Sequence, residues 1–207
     1  MIFPNKKYNS SKEYFSDYLH SLSRVLKPEH LNILDKITIF LKNKIKNKKQ
    51  IFVCGNGGAA SVANHFLCDF NKGIKISSKK KLVPRIISLT NSIELITAIS
   101  NDIKFEDIFS FQLENLANSK DVVILFSCSG ESKNIINATK YSKKNNLDLI
   151  SFVGFRKNNF IHKMSKFSLT LNINNYGIAE DTFQIIMHMI SQFIRFENLK
   201  NYKEEIL

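Results

Sequence analysis

At 207 residues, 43% of them hydrophobic, the chain suits one compact domain with an ample core and does not read as disordered. No apolar run approaches the ~20 residues of a membrane span, and the first eight residues lack the apolar segment of a secretory signal, so a cytoplasmic location without a membrane partner is expected. The net charge of +12 invites a nucleic-acid partner, but only four of the thirty basic residues are arginine, the type suited to bidentate contacts, and neither a helix-turn-helix segment nor aromatic-basic interleaving is present, so a solvated lysine surface is expected instead.

Ser10 or Ser11 caps a first predicted helix, in which Tyr14, Tyr18, Leu19, Leu22, Val25 and Leu26 recur with helical period. Pro28 suits the first turn of a second, carrying Leu31, Leu34, Ile37, Phe40 and Leu41. Residues 1–48 are thus expected to form N-terminal helices ahead of an α/β core at 49–207. Gln50 to Cys54 reads as a buried parallel strand, broken at Gly55, Asn56, Gly57 and Gly58. A helix starts near Gly58, its free N–H groups and positive dipole end facing whatever the loop holds. A basic link from Lys72 to Lys81 is expected next, then a strand at Pro84 to Leu89 and helical stretches near Ser92 to Ile99 and Phe105 to Leu116. Asp121 to Phe126 forms a third strand that runs into Ser127 to Ser132 and a helix to about Lys144. Strands at Leu147 to Val153 and Phe167 to Ile173 and a long helix from about Ile178 to Phe196 complete the order. Alternating strands and helices imply a five-stranded parallel sheet with helices on both faces, three-layered and flavodoxin-like, with ligands at the carboxyl ends of the strands. No linker or repeat divides the chain, so 1–207 is expected to be a single domain.

Two Ser/Gly-rich loops at strand ends outline an anion site. Neither matches the Walker pattern or the dinucleotide Gly-x-Gly-x-x-Gly spacing, which favours a phosphorylated small molecule over a nucleotide. Ser127, Ser129 and Ser132 surround Gly130, a donor-rich set for phosphate oxygens. His65 and Asp69 lie four residues apart on one helical face and read equally as an acid/base or metal pair and as a polar pair facing water. Glu180, Asp181, Gln184 and His188 interrupt an apolar stretch of the last helix in the same two-sided way. Cys54, Cys68 and Cys128 have no metal-type spacing and are expected as free thiols.

These marks together resemble the sugar isomerase (SIS) domain and, within it, the sedoheptulose 7-phosphate or phosphoheptose isomerases. They are Cys54-Gly-Asn-Gly-Gly with His65-Phe-x-x-Asp69, Leu89-Thr90, Asn101-Asp102, Phe105-Glu-Asp-x-Phe109, Gln112, Ser127-x-Ser-Gly-x-Ser132 and the Glu180 to His188 helix. The resemblance implies an aldose–ketose isomerase acting on a seven-carbon sugar phosphate, for bacterial surface polysaccharide. It implies substrate contacts at Asn56, Gly57, Gly58, Asp69, Asn101, Asp102, Ser127, Cys128, Ser129, Ser132 and Glu180. It further implies zinc at His65, Asp69, Glu180 and His188, catalysis by Asp69 and His188, and a homotetramer with sites between subunits. The chain departs from that pattern at Asp69, where glutamate is usual, and at Glu180, where glutamine is usual. Ala59 stands for a hydroxyl residue, and Cys128 and Glu131 for Thr and Asn types. Glu180 and His188 are also roughly 12 Å apart along an ideal helix, too far to share one ion easily from regular helix. The other function the resemblance leaves open is a non-catalytic sugar-phosphate-binding regulator or tetrameric adaptor. Retention of His65, Asp69 and His188 favours the enzyme.

Overall fold

The computed structural model describes residues 1–156 and 159–199; the expected domain's remaining residues lie outside this set. Two helices, α1 (Ser11–Val25) and α2 (Pro28–Lys46), precede the sheet. Ser10 is the cap of α1, its hydroxyl accepting from the Glu13 amide, while Pro28 opens α2, where its missing N–H costs nothing. The core then alternates: β1 (Ile51–Gly55), α3 (Gly58–Cys68), β2 (Ile86–Ser88), α4 (Ile93–Asp102), α5 (Ser110–Leu116), β3 (Val122–Ser127), α6 (Lys133–Lys144), β4 (Asp148–Val153), α7 (Phe160–Met164), β5 (Phe167–Thr170) and α8 (Tyr176–Phe196).

All five strands are parallel, in the order β2-β1-β3-β4-β5. Side chains of a strand alternate between faces, and here the alternation separates two cores. Val53, Ile124, Phe126, Ile150 and Phe152 pack under α1, α2, α3 and α8; Phe52, Cys54, Val123, Leu125 and Leu149 pack under α4 to α7. The continuous apolar runs of β1 and β3 are the consequence of burial on both sides.

The basic link expected from Lys72 to Lys81 is largely helix. A π-helical segment, Asp69–Ile74, and a last α-turn, Lys75–Ser77, continue α3 without a break. The reason is apolar: Phe70 and Ile74 are fully buried and extend the stripe that begins with Phe66, which stacks on Phe70 at 4.0 Å between ring centroids, while the lysines occupy the outer side. The short helix α7, which lacks a long enough periodic pattern to be foreseen, is capped by Asn159, whose side chain accepts from the His162 amide.

Asp148, at the start of β4, ties the sheet to α2. Lys44 Nζ donates to Oδ2 at 2.6 Å and Lys166 Nζ to Oδ1 at 3.0 Å. Burial raises the Asp148 pKa, but the two lysines outweigh it and bring the carboxyl below its ordinary value of 3.8. A depressed aspartate contributes stability above its unfolded pKa and loses it as pH falls through the folded one. Asp148→Asn should therefore lower unfolding free energy by about 1–2 kcal/mol at neutral pH. In urea titrations the gap to wild type should close as pH drops below the usual carboxylate range.

Candidate active site

The order 2-1-3-4-5 reverses direction between β1 and β3, and at such a switch point the loops leaving the two strands open away from each other and leave a crevice. One wall is the loop after β1. Gly57 caps α3 with φ +58°, a left-handed conformation that a side chain would strain, and a Cβ on Gly58 would collide with the Glu180 carboxylate. Glycine at these two places lets Glu180, from α8, lie against the N-terminus of α3, where the helix dipole favours a negative group.

The opposite wall is Ser127 to Ser132. The Ser127 hydroxyl accepts from the Gly130 amide at 3.0 Å and that of Ser129 from the Glu131 amide at 3.1 Å, so each keeps its own O–H to donate. Ser132 precedes α6 and makes no side-chain cap bond. Asn56, Gly57, Ala59, Ser127, Cys128, Ser129, Ser132, Tyr176 and Glu180 line a cleft of about 310 Å³. Two helix N-termini, those of α3 and α6, meet here.

The walls are locked together by a residue that no sequence pattern singled out. Asn134, 1% exposed, exchanges paired side-chain hydrogen bonds with Asn56, each 2.9 Å, and so holds the first loop to the start of α6. Both Asn56 amide groups are occupied in this way. An i+2 polar residue after Ser132 carries no signal by itself; only the packing of the two loops makes the pair. Thr90 and Ser88, at the end of β2, fix α3 from its other side, their hydroxyls at 2.9 and 2.6 Å from Asn64 Oδ1. Gln112 serves the fold, donating to the carbonyls of Leu89 and Ile108.

Along α3 and α8, which run side by side in the same direction, a second cluster forms. His65 Nε2 lies 3.5 Å from Asp69 Oδ1, and His188 Nε2 lies 3.9 Å from Asp69 Oδ2, which also accepts a 3.1 Å bond from the buried Ser191 hydroxyl. The two imidazoles meet edge to face with centroids 5.0 Å apart. Gln184 Nε2 stands between them, 2.8 Å from His65 Nδ1 and 3.1 Å from His188 Nε2. Ligand atoms of His65, Asp69 and His188 all lie within 4.8 Å of one another, and two imidazoles with a carboxylate are a donor set that zinc accepts, so the residues fit a divalent ion.

Three sequence expectations fall elsewhere. Glu180 is not within this trio; its carboxylate lies in the cleft, 3.9 Å from Cys128 Sγ. Asn101 and Asp102 sit at the exposed end of α4, bonded to each other at 2.8 Å, and do not line the cleft. Asp181, one residue from Glu180, faces the other way and accepts from the Tyr18 hydroxyl at 2.5 Å, which ties α1 to α8. All three cysteines are free thiols.

A SIS domain model matches residues 13–154, and the parallel sheet with serine- and glycine-rich strand ends at its switch point accords with that class. A phosphoheptose isomerase of Campylobacter concisus is 30% identical over 169 residues, 80% of this chain and 87% of that protein. A phosphoheptose isomerase of Helicobacter pylori is 30% identical over 190 residues, 91% and 92% of the two chains. In structure, the phosphoheptose isomerase of Neisseria gonorrhoeae shares the fold with a TM-score of 0.77 at 24% identity, covering 88% of this chain and 95% of that one. The chain belongs to the phosphoheptose isomerase family of SIS-domain proteins.

The Glu180 carboxylate leaves a mark on its neighbour. Burial first, and then the Glu180 charge, push the Cys128 thiol up to about 12. Glu180→Gln should lower that pKa while burial keeps it above the ordinary 9.0. A titration of the Cys128 thiolate through the pH dependence of its alkylation by iodoacetamide, in a Cys68→Ser background, measures it, Cys54 being fully buried. An unmoved titration would place the carboxylate outside the cleft.

Proposed function

We propose that this phosphosugar isomerase interconverts sedoheptulose 7-phosphate and an aldoheptose 7-phosphate in the cytoplasm, for bacterial lipopolysaccharide or capsule, with zinc held by His65, Asp69 and His188. One observation carries the reading: α3 and α8 are parallel partners that put the anion cleft at one end and the acid/base trio further along. Gly58 contacts Glu180, His65 meets Gln184, and Asp69 meets Ser191. Seven residues of α3 separate Gly58 from His65, about 10 Å of rise. That spacing suits an open-chain sugar with its phosphate at one end and its reacting carbons at the other. The relatives named phosphoheptose isomerases support seven carbons in particular.

In this reading Ser127, Ser129 and Ser132 donate to the phosphate, helped by the α3 and α6 N-termini, and this remote binding orients C1 and C2. Asn56, Gly57, Gly58 and Cys128 shape the cleft, and Glu180, at the same end, accepts from the sugar hydroxyls next to the phosphate. Asp69 takes the C1 proton of the ketose as His188 gives a proton to O2, which forms the enediol; His188 then recovers the proton of O1 and Asp69 returns its proton to C2. Ser191 holds one Asp69 oxygen in place for the transfer. A bound divalent ion supplies Lewis-acid polarisation of the carbonyl oxygen.

Incubation with sedoheptulose 7-phosphate should give aldose signals by NMR. Asp69→Asn should slow their appearance by about 10²-fold or more, the usual contribution of a positioned base. Ser129→Ala or Ser132→Ala should weaken substrate binding by roughly 1–3 kcal/mol in calorimetry. Absence of aldose with wild-type protein sinks the reading.

The trio is open on one flank, with the His65 side chain 45% exposed. Beside it, Leu31, Met189, Phe193 and Phe196 are exposed and line an apolar groove of about 440 Å³ between α2 and α8. Both features support a homotetramer in which neighbours cover these faces and Asn101 and Asp102 serve an adjacent chain's site. The single domain would then work only as part of the assembly. Light scattering should give about four times the 23.8 kDa chain mass. A fully active monomer would overturn shared sites.

A further inference from the structure

Gln184 occupies the place where a fourth ligand belongs. It is half-buried on α8, one turn before His188, and its terminal amide reaches both imidazoles, 2.8 Å from His65 Nδ1 and 3.1 Å from His188 Nε2. We propose that Gln184, and not Glu180, completes the divalent-cation site with His65, Asp69 and His188, coordinating through its amide oxygen. The inference rests on the metal reading above.

The argument begins from lone pairs. In the structure the Gln184 NH₂ group faces one ring nitrogen of each histidine, and it can donate to both when each presents its lone pair. A cation would use imidazole lone pairs of the same kind. An amide carries a donor and an acceptor of nearly equal shape on one terminal carbon, so a half-turn about its last bond replaces the NH₂ with an oxygen bearing two lone pairs. One side chain therefore satisfies the imidazoles without an ion and offers a ligand with one.

Reach points the same way. Gln184 is four residues from His188, about 6 Å along the axis, whereas Glu180 is eight residues away, about 12 Å. The Glu180 carboxylate is engaged at the other end of the cluster, over Gly58 and beside Cys128 Sγ. Charge adds a chemical consequence. A divalent ion with Asp69 and a neutral amide keeps a net charge of about +1, while Glu180 as ligand would cancel it and weaken polarisation of a carbonyl oxygen. The departure at Glu180 from the glutamine usual in the family then changes the substrate cleft and leaves the ion's charge untouched.

The test uses the full chain, stripped with chelator and titrated with Co²⁺ by calorimetry and visible absorption. Gln184→Ala should lose about 10- to 100-fold in Co²⁺ affinity, with an altered visible spectrum. Gln184→Glu, which supplies an oxygen and cannot donate to the imidazoles, should still bind Co²⁺; Glu180→Gln should match wild type. Wild-type affinity and spectrum in Gln184→Ala, loss of binding in Gln184→Glu, or weakened binding in Glu180→Gln would each overturn the assignment. Wild-type protein that binds no Co²⁺ would overturn the metal reading itself and this inference with it, while the isomerase reading is decided separately by aldose formation.

Discussion

The structure depends on one topological constraint: the reversal of crossover direction between β1 and β3. Chain leaving β1 returns through α3 to one side, and chain leaving β3 returns through α6 to the other, so neither loop can cover the space between. The sheet thereby opens a crevice at the one place where two strand ends and two helix N-termini converge. The positive dipole ends of α3 and α6 face it, so the crevice favours an anion before any side chain is added. The glycines and serines refine it. The paired amides of Asn56 and Asn134 keep its walls from drifting apart.

The second constraint is the pairing of α3 with α8. Their common direction converts positions on one helix into positions on the other, Gly58 with Glu180 and Asp69 with Ser191. The candidate chemistry is spread along this pair as a ladder, not gathered at one point. Asp69 stands where α3 passes into the π-helical segment Asp69–Ile74. Wider turns of this kind often accompany functional sites because they re-aim side chains. Here the apolar contacts of Phe66, Phe70 and Ile74 stabilise the altered turn from below, leaving the Asp69 carboxylate between the two histidines.

The Glu180 position shows how burial and charge act together in the crevice. Its carboxylate lies over a glycine and beside a buried thiol, which burial first and then the negative charge hold above its ordinary pKa.

The sequence by itself determined the element order, the parallel sheet and both loops, because each rests on local periodicity or on turn chemistry that neighbours in the chain supply. Short apolar runs such as Val122 to Phe126, ended by turn residues, read as buried strands, and Ser10 and Pro28 mark helix starts by their own hydrogen-bonding chemistry. Spacing also placed His65 and Asp69 on one face. It could not say that the face meets α8, nor that Gln184, one turn from His188, also reaches His65 on the other helix. The helix continuing through Lys72 was hidden as well, because its lysines read as a link while the two residues that hold it, Phe70 and Ile74, act only when a second helix covers them. Asn134 likewise became a site residue only through a partner 78 positions away. Contacts between segments distant in the chain decide these matters, and a pattern read along one segment contains no information about its partner.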